Sequence, residues 1–83
     1  MQKILLDARA MAHPEPLQQA IAHLQTLSDD SYLYMLNRKK PVPLLAMVAE
    51  KHYAHLAQQA ADETWHILIC KNPDADLVRC LDV

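Results

Sequence analysis

Short apolar runs alternate with stretches of helical spacing along the chain. Residues 3–8 are rich in Ile and Leu and too few for a helix, so they predict a buried first strand. Apolar residues then recur at three- and four-residue steps from Leu17 to Leu27, which predicts a helix with one apolar face that begins at His13–Pro16. The aromatic and apolar run 31–36 predicts a second strand.

The second half of the chain repeats this order with one ambiguous stretch. Residues 37–43 form a basic loop marked by prolines, and helical spacing resumes at Leu44 and continues to about residue 52. Residues 53–61 fit either a helix or an edge strand, and their pattern leaves both open. The β-branched and aromatic run 64–70 predicts the last strand of the core.

This order of elements predicts one α/β domain over residues 1–83, with a core at about 3–71 and a C-terminal tail at 72–83. Two helices on one face of a small sheet make an α+β two-layer sandwich. The strands 31–36 and 64–70 carry apolar side chains on both faces, so the face without helices must meet a partner chain, the tail or a ligand. We expect a homodimer that pairs sheet to sheet.

Charge and composition exclude several classes of protein. A net charge of −2 gives no extended basic surface, so we expect no nucleic-acid partner. No apolar run approaches the roughly 18 residues that span a bilayer, and the N-terminal run is too short for a signal peptide, so we expect a cytoplasmic protein without a membrane partner. Glycine is absent, so a Gly-rich phosphate loop is excluded, and any turn with positive φ must use Asn, Asp or a strained residue.

The residues with catalytic or metal-binding chemistry form no recognisable motif. The two cysteines, Cys70 and Cys80, have neither zinc-site nor CxxC spacing, and we interpret them as a packed strand residue and a tail residue. The histidines make no compact ligand pattern, so we predict no catalytic residue, resident metal or cofactor. A metal or haem site built from His13 with Met11 or Met35 stays open as an alternative.

The best indication of binding lies at the two predicted helix starts. His13 and Glu15 stand at the first start, and Arg38, Lys39 and Lys40 precede the second. Unpaired N–H groups at helix N-termini favour anions, so we predict these residues bind a small anion or a protein partner. The alternative interpretation is an exposed histidine beside a turn and an ordinary solvated basic loop.

The pair Leu6-Asp7 followed by His13-Pro14-Glu15-Pro16 resembles the TusA/SirA-like sulfur-carrier superfamily, whose signature is a Leu-Asp strand end and then Cys-Pro-x-Pro at the first helix. The segments 37–44 and 65–69 are similar to an uncharacterised branch of that superfamily, in which the cysteine is commonly missing. The resemblance implies a bacterial-type cell and a βαβαββ fold with a four-stranded mixed sheet. It also implies that residues 54–60 form a third strand, hairpinned to the fourth.

The departure from the superfamily decides the predicted function. His13 stands where the sulfur carriers have the cysteine that takes a persulfide, and an imidazole cannot carry one. We therefore predict a binding or carrier-like module and not an enzyme. The alternative is a sulfurtransferase or redox accessory protein that uses Cys70 or Cys80 as its thiol.

Overall fold

A computed structural model describes residues 1–83 and has the element order βαβαββ. The predicted α+β fold, a four-stranded mixed sheet with two helices on one face, is confirmed. The elements are β1 (Gln2–Asp7), α1 (Glu15–Thr26), β2 (Ser31–Asn37), α2 (Val42–Glu50), β3 (Ala54–Gln59), β4 (Trp65–Cys70) and a 3₁₀ turn (Leu77–Cys80).

The sheet order β1-β2-β4-β3 places the two strands that precede the helices side by side. Strands β1 and β2 are parallel, with Gln2 opposite Ser31 and Asp7 opposite Leu36, whereas β4 runs antiparallel to both β2 and β3. Because β1 and β2 are parallel, both end at the same edge of the sheet. The loops that lead into α1 and α2 therefore leave from this common edge.

Residues 54–59, within the stretch that fitted either a helix or a strand, form strand β3. All six of its residues pair with β4, from Ala54 opposite Cys70 to Gln59 opposite Trp65. The alanines and glutamines favour a helix only weakly, and the hydrogen bonds and half-burial gained beside β4 outweigh that propensity. The third strand implied by the resemblance is confirmed, except that it ends at Gln59 and not at Ala60.

One face of the sheet and both helices enclose the larger apolar core. Strand side chains that point to this face alternate along each strand, as the period of a β-strand requires, and the helices contribute their apolar stripes. Burial of these side chains is the main force that holds the two layers together. The buried members are Leu6, Ala8, Ala20, Leu24, Leu27, Leu33, Met35, Leu44, Val48, Ile67 and Ile69.

The C-terminal tail covers part of the opposite face. Leu77 is buried there in a cluster with Tyr32, Tyr34, Leu68 and Cys70. The tail backbone is also held by a hydrogen bond, because the N–H of residue 82 donates to the Tyr34 hydroxyl at 3.0 Å. The tail was one of three covers expected for this face. The homodimer stays a prediction, and the tail occupies part of the surface that it would use.

Because the chain contains no glycine, two turns place other residues at positive φ. His52 follows α2 with φ of 59°, and Glu63 lies in the β3–β4 turn with φ of 73°. Residues with a Cβ are disfavoured in this left-handed region. Neither is Asn or Asp, so the expectation of strained residues at such turns is confirmed.

We expect Glu63→Gly to stabilise the protein by about 0.5–1 kcal/mol, because it removes the Cβ from a left-handed position at some cost in unfolded-chain entropy. Thermal unfolding should show a rise in Tm of about 2–8 °C. Ala61→Gly is the matched control, since residue 61 has no positive φ and gains nothing from glycine. An unchanged or lower Tm for Glu63→Gly would contradict the argument from strain.

Candidate functional site

A groove of about 230 Å³ lies at the sheet edge where β1 and β2 end, between the starts of the two helices. We name it the helix-start groove. Residues from both loops and from the first turns of both helices form its walls, so it depends on the parallel pairing of β1 and β2. Its lining residues are Met11, His13, Pro16, Leu17, Asn37, Arg38, Lys39, Lys40, Pro41, Pro43 and Leu44.

A short repeat shapes both sides of this groove. The sequences 14–17 and 41–44 both read Pro-x-Pro-Leu, and in each the first proline is the N-cap residue and the second lies in the first turn. Proline lacks an N–H and fixes φ near the helical value, so it suits a helix start. The two β-strand-to-helix units are therefore built alike at the point where they meet.

In the first turn of each helix, one backbone N–H group has no hydrogen-bond partner. In α1 the N–H of Glu15 donates to the Ala12 carbonyl at 2.9 Å, and in α2 the N–H of Val42 donates to the Lys40 carbonyl at 3.0 Å. The next residue in each helix is proline. The N–H groups of Leu17 and Leu44 then have no hydrogen-bond partner in the protein, and both residues line the groove. Leu17 is half-buried, whereas Leu44 is fully buried, so only the N–H of Leu17 belongs to a residue with accessible surface.

The basic loop is tied in place by contacts that hold its cations at the groove. The Arg38 guanidinium donates to the Met11 carbonyl at 3.2 Å and so links the two loops. The Asn37 amide donates to the Lys39 carbonyl at 3.0 Å and shapes the turn. Lys40 Nζ lies 5.6 Å from the centre of the Trp65 ring, a cation–π distance.

The charge around the groove is of one sign. The side chains of Arg38, Lys39 and Lys40 are exposed, and Lys39 makes no salt bridge or side-chain hydrogen bond. No acidic residue is among those that line the groove. The surroundings therefore favour a negatively charged occupant, despite the net charge of −2 on the whole chain.

The structure brings together four of the five residues predicted from the sequence. His13, Arg38, Lys39 and Lys40 line the groove, whereas Glu15 is exposed and does not line it. A carboxylate at that position would oppose an anion, so its placement outside the groove is consistent with the charge of the lining. Asn37 was not predicted as a binding residue, and Met11 was considered only for the alternative metal or haem site.

The repeat of Pro-x-Pro-Leu was the signal that could have located the groove from the sequence. It is only four residues long in each unit, and neither of its leucines has any chemistry of its own. What matters is the backbone N–H of Leu17, which is unpaired because it lies in the first turn of α1 and has no carbonyl partner there.

The carboxylate closest in sequence to this edge, Asp7, is engaged locally. Arg9 donates its backbone N–H to Asp7 Oδ1 at 3.2 Å, and its guanidinium donates at 2.9 Å and 2.7 Å. These hydrogen bonds lower the pKa of Asp7 to about 2. Asp7 is a strand-end turn residue that accepts a backbone hydrogen bond, and its charge is balanced by Arg9.

The cysteines lie away from the groove. Cys70 ends β4, which runs antiparallel to β2, so it stands at the opposite edge of the sheet, fully buried and 3.8 Å from Met1 Sδ. Its prediction as a packed strand residue is confirmed. Cys80 is half-buried in the tail beside Tyr32. The burial of Tyr32 and, to a smaller extent, the neighbouring Cys80 thiol raise the pKa of this tyrosine.

The residues of the alternative metal or haem site come together only in part. Met35 is fully buried in the core, whereas His13 is exposed, so these two side chains do not meet at one site. Met11 does line the groove with His13. No group of three or more His, Cys, Asp or Glu side chains is placed to hold a metal ion.

Comparison with known proteins gives one family. Neither helix has the length and apolar character that crossing a membrane requires. No curated protein and no solved structure matches the chain significantly. A family model matches residues 5–71, which include both helix starts and the helix-start groove but not the tail. The chain therefore belongs to the family described as an uncharacterized conserved protein, DUF2249.

Proposed function

We propose that this protein is a cytoplasmic, non-enzymatic module that binds a small anion in the helix-start groove. The observation that carries the proposal is the unpaired N–H group of the half-buried Leu17, beside a lining that contains cations and no carboxylate. Backbone N–H groups at a helix N-terminus are fixed donors and add the favourable end of the helix dipole.

The cations and the N–H groups have different roles in this site. Arg38 and the two lysines are exposed, so salt screens them and each contributes modestly on its own. They raise the local concentration of anions and their rate of arrival. The N–H donor of Leu17 is held in place by α1, so it fixes where the anion binds without a further loss of side-chain entropy.

The size of the groove restricts the ligand. Pockets for drug-sized ligands have volumes of roughly 300–1,000 Å³. The helix-start groove, at about 230 Å³, is smaller. The expected ligand is therefore a small anionic metabolite and not a nucleotide or a larger cofactor.

The likeness to TusA/SirA-like sulfur carriers is compatible with this proposal. Their cysteine stands at the start of the first helix, the position that His13 occupies beside the groove. A helix start that stabilises a thiolate also suits a free anion, since both carry negative charge. We therefore infer a module that keeps the carrier fold and its electrostatics but has lost the sulfur chemistry. The alternative use of Cys70 or Cys80 gains no support, because neither thiol lies at this groove.

The single tryptophan offers a direct test. Trp65 contacts Lys40 at the rim of the groove, so an anion that draws Lys40 toward itself should change the fluorescence of the ring. We expect a saturable change when inorganic phosphate replaces chloride at constant ionic strength and neutral pH. If neither fluorescence nor equilibrium dialysis shows binding of phosphate or of acetate under these conditions, the proposal of an anion site is wrong.

A further inference from the structure

We propose that the natural ligand of the helix-start groove is a short-chain carboxylate with an apolar body, such as an aliphatic monocarboxylate. This inference rests on the proposed function, since it names the chemical class of the anion. It comes from the apolar residues that line the groove beside the cations.

The apolar part of the lining is accessible to a ligand. Met11, Pro16, Leu17 and Pro41 all line the groove and are half-buried, so each presents some apolar surface to an occupant. They come from the loop before α1, from the first turn of α1 and from the residue that caps α2. Apolar surface of this kind gains free energy when an apolar group covers it.

The cations are grouped in one segment of the lining. Arg38, Lys39 and Lys40 are consecutive in the β2–α2 loop, whereas most of the half-buried apolar residues belong to the α1 side. The groove thus combines a cationic wall with an apolar wall. An amphipathic anion matches both, with its charged group toward the loop and its chain along the α1 side.

A carboxylate fits this division better than inorganic phosphate. Phosphate is strongly hydrated on all sides, and bringing it against apolar walls removes water without replacing every hydrogen bond. A carboxylate concentrates its charge on two oxygens, which can accept from the unpaired N–H of Leu17 and from the exposed cations of the β2–α2 loop. The rest of the molecule is free to be apolar.

The test is a chain-length series measured by the fluorescence of Trp65 and by calorimetry. Acetate, butyrate, hexanoate and octanoate are titrated into the full chain, with inorganic phosphate and hexylammonium alongside. We expect the affinity to rise by about twofold to fourfold per methylene until the groove is filled, because each buried methylene contributes at most about that factor. Hexylammonium should not bind, since its charge has the wrong sign.

The outcomes separate this inference from the proposed function. Phosphate and all carboxylates binding with equal affinity would overturn the apolar ligand and leave the anion site standing. No binding of any anion would overturn both. Equal binding of hexanoate and hexylammonium would also overturn the inference, because the charge would then have no part in recognition.

A pair of matched variants locates the apolar contact. Met11→Gln makes a half-buried residue of the groove polar, whereas Met47→Gln makes the same change at a half-buried residue of α2 outside the groove. We expect Met11→Gln to reduce the gain in affinity from acetate to hexanoate by about fivefold or more, while the affinity for acetate stays the same. Met47→Gln should keep the full gain. An equal loss in both variants would contradict the placement of the chain beside Met11, and Met11→Ala repeats the test if the glutamine variant does not fold.

Discussion

Lys39→Glu is expected to weaken anion binding by about tenfold or more, because it replaces a potential charge-assisted donor with a repelling carboxylate. Lys39 lines the helix-start groove, and its side chain makes no salt bridge or hydrogen bond that the change would break. The affinity for inorganic phosphate, measured by Trp65 fluorescence at fixed ionic strength, gives the result directly. The unfolding midpoint should stay close to that of the unaltered protein, since only an exposed side chain changes.

Lys51→Glu is the matched control for this prediction. Lys51 is exposed at the end of α2 and does not line the helix-start groove. Each variant removes one positive charge and adds one negative charge, which takes the net charge of the chain from −2 to −4. Distant exposed charges are screened by salt, so Lys51→Glu should change the affinity by less than about twofold. If both variants weaken binding equally, net charge and not the groove controls the interaction.

Leu77→Ala is expected to lower the free energy of unfolding by about 2–3 kcal/mol, because the side chain is buried between the tail and the sheet. Leu77 is 4% exposed and packs in the cluster that contains Tyr32, Tyr34 and Cys70. The tail should detach more often as its main apolar contact is lost. Chemical denaturation measures the stability, and alkylation of Cys70, followed by mass spectrometry, measures the opening.

The labelling result has a defined direction and size. In the unaltered protein Cys70 is fully buried, so its alkylation requires an opening of the structure and should be slow. In Leu77→Ala we expect Cys70 to react at least about 30-fold faster, the equivalent of about 2 kcal/mol in the opening equilibrium. Val78→Ala, next in the chain and 70% exposed, should leave both measurements unchanged.

Two other results would count against this account of the tail. Equal rates for Cys70 in Leu77→Ala and in the unaltered protein would show that the tail does not protect the second face. Rapid labelling of Cys70 in the unaltered protein, with transfer of sulfur from a persulfide donor, would restore the alternative of a sulfurtransferase. Cys80 is half-buried in the tail, so it must be followed as a separate peptide.

Most of the fold could be predicted because local patterns and tertiary packing agree. The spacing from Leu17 to Leu27 specifies an amphipathic helix, and α1 occupies nearly that range. The run 31–36 is apolar at every position but the first, and β2 is buried on both faces, by the helices on one side and partly by the tail on the other. In such segments, periodicity and burial point to the same element.

The rest of the fold depends on contacts that are distant in sequence. Residues 54–59 fit either a helix or a strand by composition, and their ladder with β4 decides that they form a strand. The tail, likewise, has too few apolar residues to specify its place. Its position follows from Leu77 meeting the aromatic face of β2 and from Asp82 donating its N–H to Tyr34.

The site shows the same division between local and distant signals. The cationic loop is visible in the sequence as three consecutive residues, 38–40. Its meeting with His13 follows once β1 and β2 are known to be parallel neighbours. The free N–H groups could not be found from residue chemistry, because leucine has no polar side chain. They are found by asking which backbone donors remain unpaired after the prolines are placed.

In the proposed function, one anion binds in the helix-start groove, between the starts of α1 and α2. Backbone amide spectra of ¹⁵N-labelled protein, recorded while acetate and then hexanoate replace chloride, test it most directly. We expect the amide signals of Leu17 and Leu44 to shift together, with one shared saturation curve, while those of β3 and the tail stay in place. Signals of Leu17 and Leu44 that do not move at saturating ligand, or that move with different affinities, would contradict it.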